Sequence, residues 1–159
     1  MKNVFFLLSL FMSTAGLAGP REDAWKLHNR LAGVPPQPQV LNEMSDLINQ
    51  GDVEAAAELA TEHPAFYNVT LKNWVKPWSN RDQTPRVAFN DYVATILGVI
   101  RDETPFDKIL YDDVIYVVNS TAIPAYSNTD NNHYRNAETQ NINLKDTLIV
   151  RRQTEATIS

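Results

Sequence analysis

The chain contains no cysteine. That absence removes disulfides, thiolate metal sites, cysteine nucleophiles, covalent haem attachment and the residue a bacterial lipid anchor uses. Basic runs are also scarce: the longest are pairs such as Arg151-Arg152, and the net charge is −5. Phosphate recognition needs clustered positive charge, so nucleic acid is disfavoured as a partner, while the dispersed acidity reads as solubility. The sequence has no GxSxG, no P-loop and no glycine-rich dinucleotide turn, which removes the usual local signatures of hydrolases and nucleotide-binding enzymes. Its three histidines, His28, His63 and His133, stand far apart without ligand spacing, so no metal site is expected. No apolar run reaches the roughly 20 residues that a membrane-spanning helix needs.

What is present begins with a basic start at Lys2, an apolar run over residues 4–12 and small residues up to Ala18. This is the pattern of a secretory signal peptide, with cleavage expected before Gly19, and it implies a periplasmic or secreted protein. With 159 residues and 43% hydrophobic content, the chain is long enough for one ordinary core. The expected division is a signal peptide over 1–18, a helical domain over 19–118, and an irregular tail over 119–159 that opens a further region missing here.

The strongest helical pattern spans residues 63–78, where Phe66, Tyr67, Thr70, Leu71, Trp74, Val75 and Trp78 recur at a 3.6-residue period. The spacing predicts the central core helix, entered at His63-Pro64 and ended or kinked by Pro77, with Asn68, Lys72, Asn73 and Lys76 in water. An aromatic stripe of this kind is alternatively a ligand-stacking platform. Before it, helices are expected over 20–31, 40–49 and 53–61. Trp25, Leu27 and Leu31 lie on the apolar side of the first, with Gly33 as its stop; Gly51 ends the second, and Asp52 caps the third. After it, the pattern predicts a helix over 89–102 with Phe89, Tyr92, Val93, Ile96, Leu97 and Ile100 inward, then a short helix burying Phe106, Ile109 and Leu110. Residues 114–118 form the one clear β-like run. The Asn- and Ser-rich stretch from Asn119 reads as loop, followed by a helical turn or two near Leu148 and Ile149. The fold class expected is mostly α: an irregular helical bundle with proline-rich corners, one short extended segment and a loop-rich C-terminal tail.

No residue stands out as catalytic. Adjacent Asp112 and Asp113, flanked by Tyr111 and Tyr116, read either as an acid/base pair or as a solvated turn. The cluster Asn131, Asn132, His133 and Tyr134 is rich in hydrogen-bonding groups and reads as the lip of a sugar site or as a disordered loop. Trp78 and Tyr111 complete the candidate binding residues, by offering exposed ring edges.

Several short motifs occur in a telling order: Arg30-Leu31-Ala32-Gly33-Val34-Pro35-Pro36, His63-Pro64-Ala65-Phe66-Tyr67, Asn73-Trp74, and then Thr104-Pro105-Phe106-Asp107 through Leu110-Tyr111-Asp112-Asp113. Over residues 30–118 the chain resembles the N-terminal helical region of large exported bacterial proteins associated with cytochrome c. That family, of uncharacterised function, is abundant in planctomycetes and found also in proteobacteria. Its members commonly continue into domains with a CxxCH haem motif, and the tail at Arg151-Arg152-Gln153 resembles the middle of a longer member, which implies a truncated chain. The resemblance implies a non-enzymatic scaffold or docking module of a periplasmic cytochrome c-type system, with a c-type cytochrome as partner. No cofactor is implied for the chain itself, since haem is left to a partner or to a missing C-terminal region. A periplasmic sugar or cell-wall binding domain is the alternative reading, and a hydrolase using Asp112, Asp113 or His133 is the third.

Overall fold

The computed structural model describes residues 19–156. The signal-peptide expectation over residues 1–18 therefore lies outside the described residues. The fold is mostly helical, as the periodicity predicts, with a single two-stranded sheet among the described residues.

Three helices open the chain: α1 (Pro20–Ala32), α2 (Pro38–Asn49) and α3 (Val53–Thr61). Proline occupies the first turn of α1 and of α2, where its missing N–H costs nothing. Gly33 closes α1 at φ 74° and donates its N–H to Asn29 O, a left-handed position that favours glycine. Asp52 caps α3 by accepting from Ala55 N at 3.0 Å. Ala24, Met44, Ala56 and Ala60 form the buried seam of this triplet, ringed by Leu27, Leu31, Leu41 and Leu47. The small side chains let the three helices approach closely. His28 is buried and donates from Nδ1 to Val34 O, 2.8 Å away. The fold sets it edge-to-face with His63 at 5.5 Å, and His63 Nδ1 accepts from Ala65 N, so the first turn beyond Pro64 is capped.

Residues 63–79 are helical but not one regular helix. A π turn (Phe66–Leu71) leads into α4 (Lys72–Val75) and then a 3-10 turn (Lys76–Ser79). Hydrogen bonds of the i to i+5 type place more than 3.6 residues in a turn, so the phase of every later side chain shifts. The buried positions are Tyr67, Asn68, Leu71, Val75 and Lys76. Four placements are thereby corrected. Trp74 and Trp78 are 59% and 60% exposed rather than core, and Asn68 and Lys76 are inside rather than in water. Asn68 donates to Asn141 Oδ1 and Ile142 O and accepts from Leu144 N, which ties the π turn to residues more than seventy positions away.

The central helix is instead α5 (Asp91–Arg101), buried without interruption from Val93 to Val99. Asn90 caps it by accepting from Val93 N at 3.1 Å. Phe89, Val93, Ile96 and Leu97 are inward as predicted, while Tyr92 and Ile100 lie at the exposed edge. The segment Phe106–Leu110 is a 3-10 turn, so α-helical spacing does not hold there, and Phe106 and Leu110 face solvent. Trp25 is likewise exposed, so all three tryptophans of the chain reach water.

The β-like run forms β1 (Ile115–Val118), paired antiparallel with β2 (Leu148–Arg151) in the register Tyr116↔Val150 and Val118↔Leu148. Every β1 residue is buried, because Tyr116 and Val118 join the main core, while Ile115 and Val117 meet Tyr126 and Ile149 on the other side. The irregular-tail expectation for 119 onward is corrected too. Helix α6 (Asn132–Thr139), the turn α7 (Leu144–Thr147) and β2 place Tyr134, Ala137, Leu144 and Leu148 in the same core as α5. A last turn, α8 (Gln153–Ala156), follows. Among the described residues no helix is long and apolar enough to cross a membrane.

The exposure pattern reverses the usual expectation for a tryptophan stripe. Trp74→Ala should shift the urea midpoint by no more than about 0.5 kcal/mol equivalent, as at other exposed sites. Asn68→Ala should cost about 2–3 kcal/mol, because it strands the Leu144 N–H and the Ile142 carbonyl in the interior. Similar midpoints for the two variants would contradict the assigned faces.

Candidate functional site

The N-terminal turn of α5, the 3-10 turn Lys76–Ser79 and the residues leading into α6 enclose a cleft of about 540 Å³. Trp78 forms one wall, Asn90, Asp91 and Tyr92 the second, and residues 126–131 the third, with Tyr134 at the base. Its walls are held from behind by hydrogen bonds. Asn90 Nδ2 donates to Ser79 Oγ at 3.1 Å, and Asn131 Nδ2 donates to Phe89 O at 2.8 Å. The Ser127 and Thr129 hydroxyls pair at 2.8 Å, and Asp130 Oδ1 accepts from Asn132 N at 2.7 Å, which folds the loop into a tight turn.

Beneath the cleft lies a cluster of edge-to-face rings: Tyr126 on Tyr134 at 5.9 Å, Phe89 on Tyr134 at 5.5 Å, and His133 on Tyr134 at 4.9 Å. Tyr134 donates its hydroxyl to Tyr116 O, and burial drives its phenol well above the usual range. Burial and, after it, the negative charge of Asp91 also raise the Tyr126 phenol. The cleft therefore has a stiff aromatic floor and a wet rim of amides, hydroxyls and two carboxylates. Among the described residues neither lysine nor arginine lines it.

Of the residues singled out from sequence, Trp78, Asn131 and Tyr134 meet in this cleft, and Asn132 braces its loop through Asp130. They stand in an ordered turn and helix rather than a disordered loop. His133 turns away. Its Nε2 accepts from Val118 N at 3.0 Å while Nδ1 contacts Pro124 O at 2.8 Å, so the ring is neutral with the proton on Nδ1. Burial lowers its pKa, opposed by the Pro124 bond and assisted by Arg151. It pins β1 to α6 and is not presented to a substrate.

Tyr111, Asp112 and Asp113 lie elsewhere. Tyr111 is exposed, with its hydroxyl on Asp107 Oδ2 at 3.4 Å, and Asp112 Oδ1 accepts from Asp113 N. Asp113 accepts from the Thr154 hydroxyl and N–H, the former being the main reason its carboxyl sits below the usual range. The two aspartates thus turn the chain and hold α8, and share a surface dent with Arg151 and Arg152. Among the described residues no group of three or more His, Cys, Asp or Glu side chains could hold a metal ion.

Sequence reasoning missed Tyr92, Tyr126, Asn90 and Asp91 as cleft residues. Tyr92 falls on the apolar stripe of α5 and reads as core. Asn90 and Asp91 fall inside the helix expected over 89–102 and carry no signal of their own, although they form the cap and first residue of α5. Only the tertiary fold sets the start of α5 beside residues 126–131. No family model, no curated protein and no solved structure matches this chain.

Proposed function

We propose that this chain is a non-enzymatic binding module whose ligand is a sugar or a cell-wall glycan held in the aromatic cleft. One observation carries the reading: Trp78 and Tyr92 are exposed at the rim of a cleft whose other lining groups are amides, hydroxyls and carboxylates. A pyranose offers an apolar C–H face that stacks on such rings and hydroxyls that bond to such polar groups. Hydrolysis draws less support, because Asp112, Asp113 and His133 are engaged with backbone or with α8 and do not converge on the cleft. The N-terminal pattern over residues 1–18 supports placement in the periplasm or outside the cell, where such glycans occur.

Tryptophan fluorescence titrated with soluble glycan oligomers tests the reading. A saturable change is expected for the unaltered protein, with Trp78→Ala weakening affinity at least about tenfold, or about 1.4 kcal/mol. Thermal stability should stay nearly unchanged in that variant. A flat titration across glycan classes would remove the reading.

A second reading, docking onto a c-type cytochrome, is favoured by Trp74, which is exposed one turn before Trp78 and outside the cleft. Contact of that kind would be weak and salt-sensitive. A periplasmic pull-down at low salt should retain a cytochrome through the unaltered protein and lose it with Trp74→Ala.

A further inference from the structure

We infer that the ligand of the cleft carries a positive charge close to the sugar ring, as in a glycan with free rather than acetylated amino groups. This rests on the sugar-binding reading and narrows it.

The cleft joins two carboxylates, Asp91 and Asp130, to the rings of Trp78, Tyr92 and Tyr126, without a basic residue among the described residues of its lining. Each carboxylate uses one oxygen on the backbone: Asp91 Oδ1 accepts from Tyr92 N and Asp130 Oδ1 from Asn132 N, both at 2.7 Å. Among the described residues neither carboxylate has an ion-pair partner. Such an arrangement differs from the treatment of charge elsewhere in the fold. Lys72 and Lys76, six and two residues before Trp78, are both turned to Glu138, and Arg101 is turned to Asp102. Lys72 and Lys76 are therefore neutralised away from the cleft, while its anions are left open.

The consequences for a ligand are direct. An anionic glycan would meet two uncompensated carboxylates at short range, which disfavours it. A neutral sugar would satisfy hydrogen bonds but leave the negative potential unused. An ammonium group meets both available attractions, the free carboxylate oxygens and the negative faces of the rings, and cation–π attraction is strongest on an indole. The negative charge of Asp91 also reaches the Tyr126 phenol, so the field extends across the aromatic wall. Steering by that field makes binding salt-dependent.

The experiment compares a glucosamine tetramer, an N-acetylglucosamine tetramer and tetramethylammonium, by calorimetric titration at low and high salt. The unaltered protein and an Asp91→Asn/Asp130→Asn variant are titrated in parallel. Asparagine keeps the Oδ1 acceptors for Tyr92 N and Asn132 N, so the cleft should remain folded, and its circular dichroism and melting curve check this. The expected result is affinity for the glucosamine tetramer at least about tenfold above that for its acetylated counterpart, lost in the variant and reduced by salt. Equal affinity for both tetramers, or a preference that survives in the variant, would overturn the inference while keeping the sugar reading. Binding of tetramethylammonium alone, dependent on the aspartates, would keep the charge inference and remove the sugar reading. Binding of none of the three would remove both.

Discussion

Replacing Glu138 with alanine is expected to destabilise the protein by about 3–5 kcal/mol, because it strands a buried cation. Lys76 Nζ lies 2.5 Å and Lys72 Nζ 3.0 Å from Glu138 Oε1, and Phe89 N donates to Oε2 at 2.9 Å. With the Lys76 side chain only 7% exposed, water cannot replace the lost carboxylate. The same carboxylate joins α6, the segment carrying Trp78 and the start of α5, which are the walls of the cleft. A urea titration should show the loss. A paired Lys76→Met and Glu138→Leu change should recover part of it, since apolar replacement of a buried pair is often nearly neutral. Equal stability of Glu138→Ala and the unaltered protein would contradict the assignment.

Acid provides an independent readout of the same group. Burial pushes the Glu138 carboxyl up, but the bonds from Lys76, Phe89 N and Lys72 outweigh it and bring its pKa to about 2 from an ordinary 4.5. A carboxyl depressed on folding contributes stability that is complete above its unfolded pKa and lost as pH falls through the folded value. The window is therefore pH 4.5 down to about 2. Allowing for solvent screening of this partly exposed carboxylate, the loss should be about 2 kcal/mol. His133 acts in the same direction at higher pH. Its neutral form is the one folded in, so its contribution is present above pH 6.5 and declines below it. In Glu138→Ala the step below pH 4.5 should shrink to what the depressed Asp102 and Asp113 carboxyls leave, while the His133 component remains.

Gly98→Ala is expected to cost about 3 kcal/mol, against the gain of about 1 kcal/mol that helix propensity would give an exposed site. A Cβ at position 98 would stand 2.0 Å from the Cδ1 and 2.3 Å from the Cγ of Tyr116. The ring cannot retreat easily. Its hydroxyl donates to Asp102 Oδ2 at 2.7 Å, its N–H donates to Thr95 Oγ1, and β2 holds its strand from the far side. Burial, then the Asp102 bond and charge, pushes its phenol up to about 12, so the hydroxyl stays a donor throughout the neutral range. Chemical denaturation checks this, and a midpoint equal to or above that of the unaltered protein would mean that α5 and β1 can separate without penalty.

The helices around local signals were legible in the sequence. Pro20, Gly33 and Asp52 mark helix ends through backbone chemistry that acts within four residues, and the structure follows them. The main error, over residues 63–79, begins with a local irregularity. Period counting assumes a constant 3.6 residues per turn, and the π turn at Phe66–Leu71 breaks that assumption without leaving a mark in the composition. A second error, over residues 119–151, arose because the Asn- and Ser-rich stretch that includes Asn131 reads as loop-forming. Asn143 caps α7, and Asn131 binds Phe89 O across the fold.

By itself, then, the sequence determined the helical class, several helix boundaries, the extended run at 114–118 and three members of the cleft. Each depends on interactions between near neighbours along the chain. Tertiary structure alone decided which face of residues 63–79 is buried, because Asn68 and Lys76 enter the interior only when partners more than sixty residues away, at Ile142, Leu144 and Glu138, satisfy their polar groups. It also decided that the tryptophans face water and that the start of α5 meets residues 126–131. Burial of a polar side chain depends on a distant partner, and neither its type nor its spacing reveals where that partner will be.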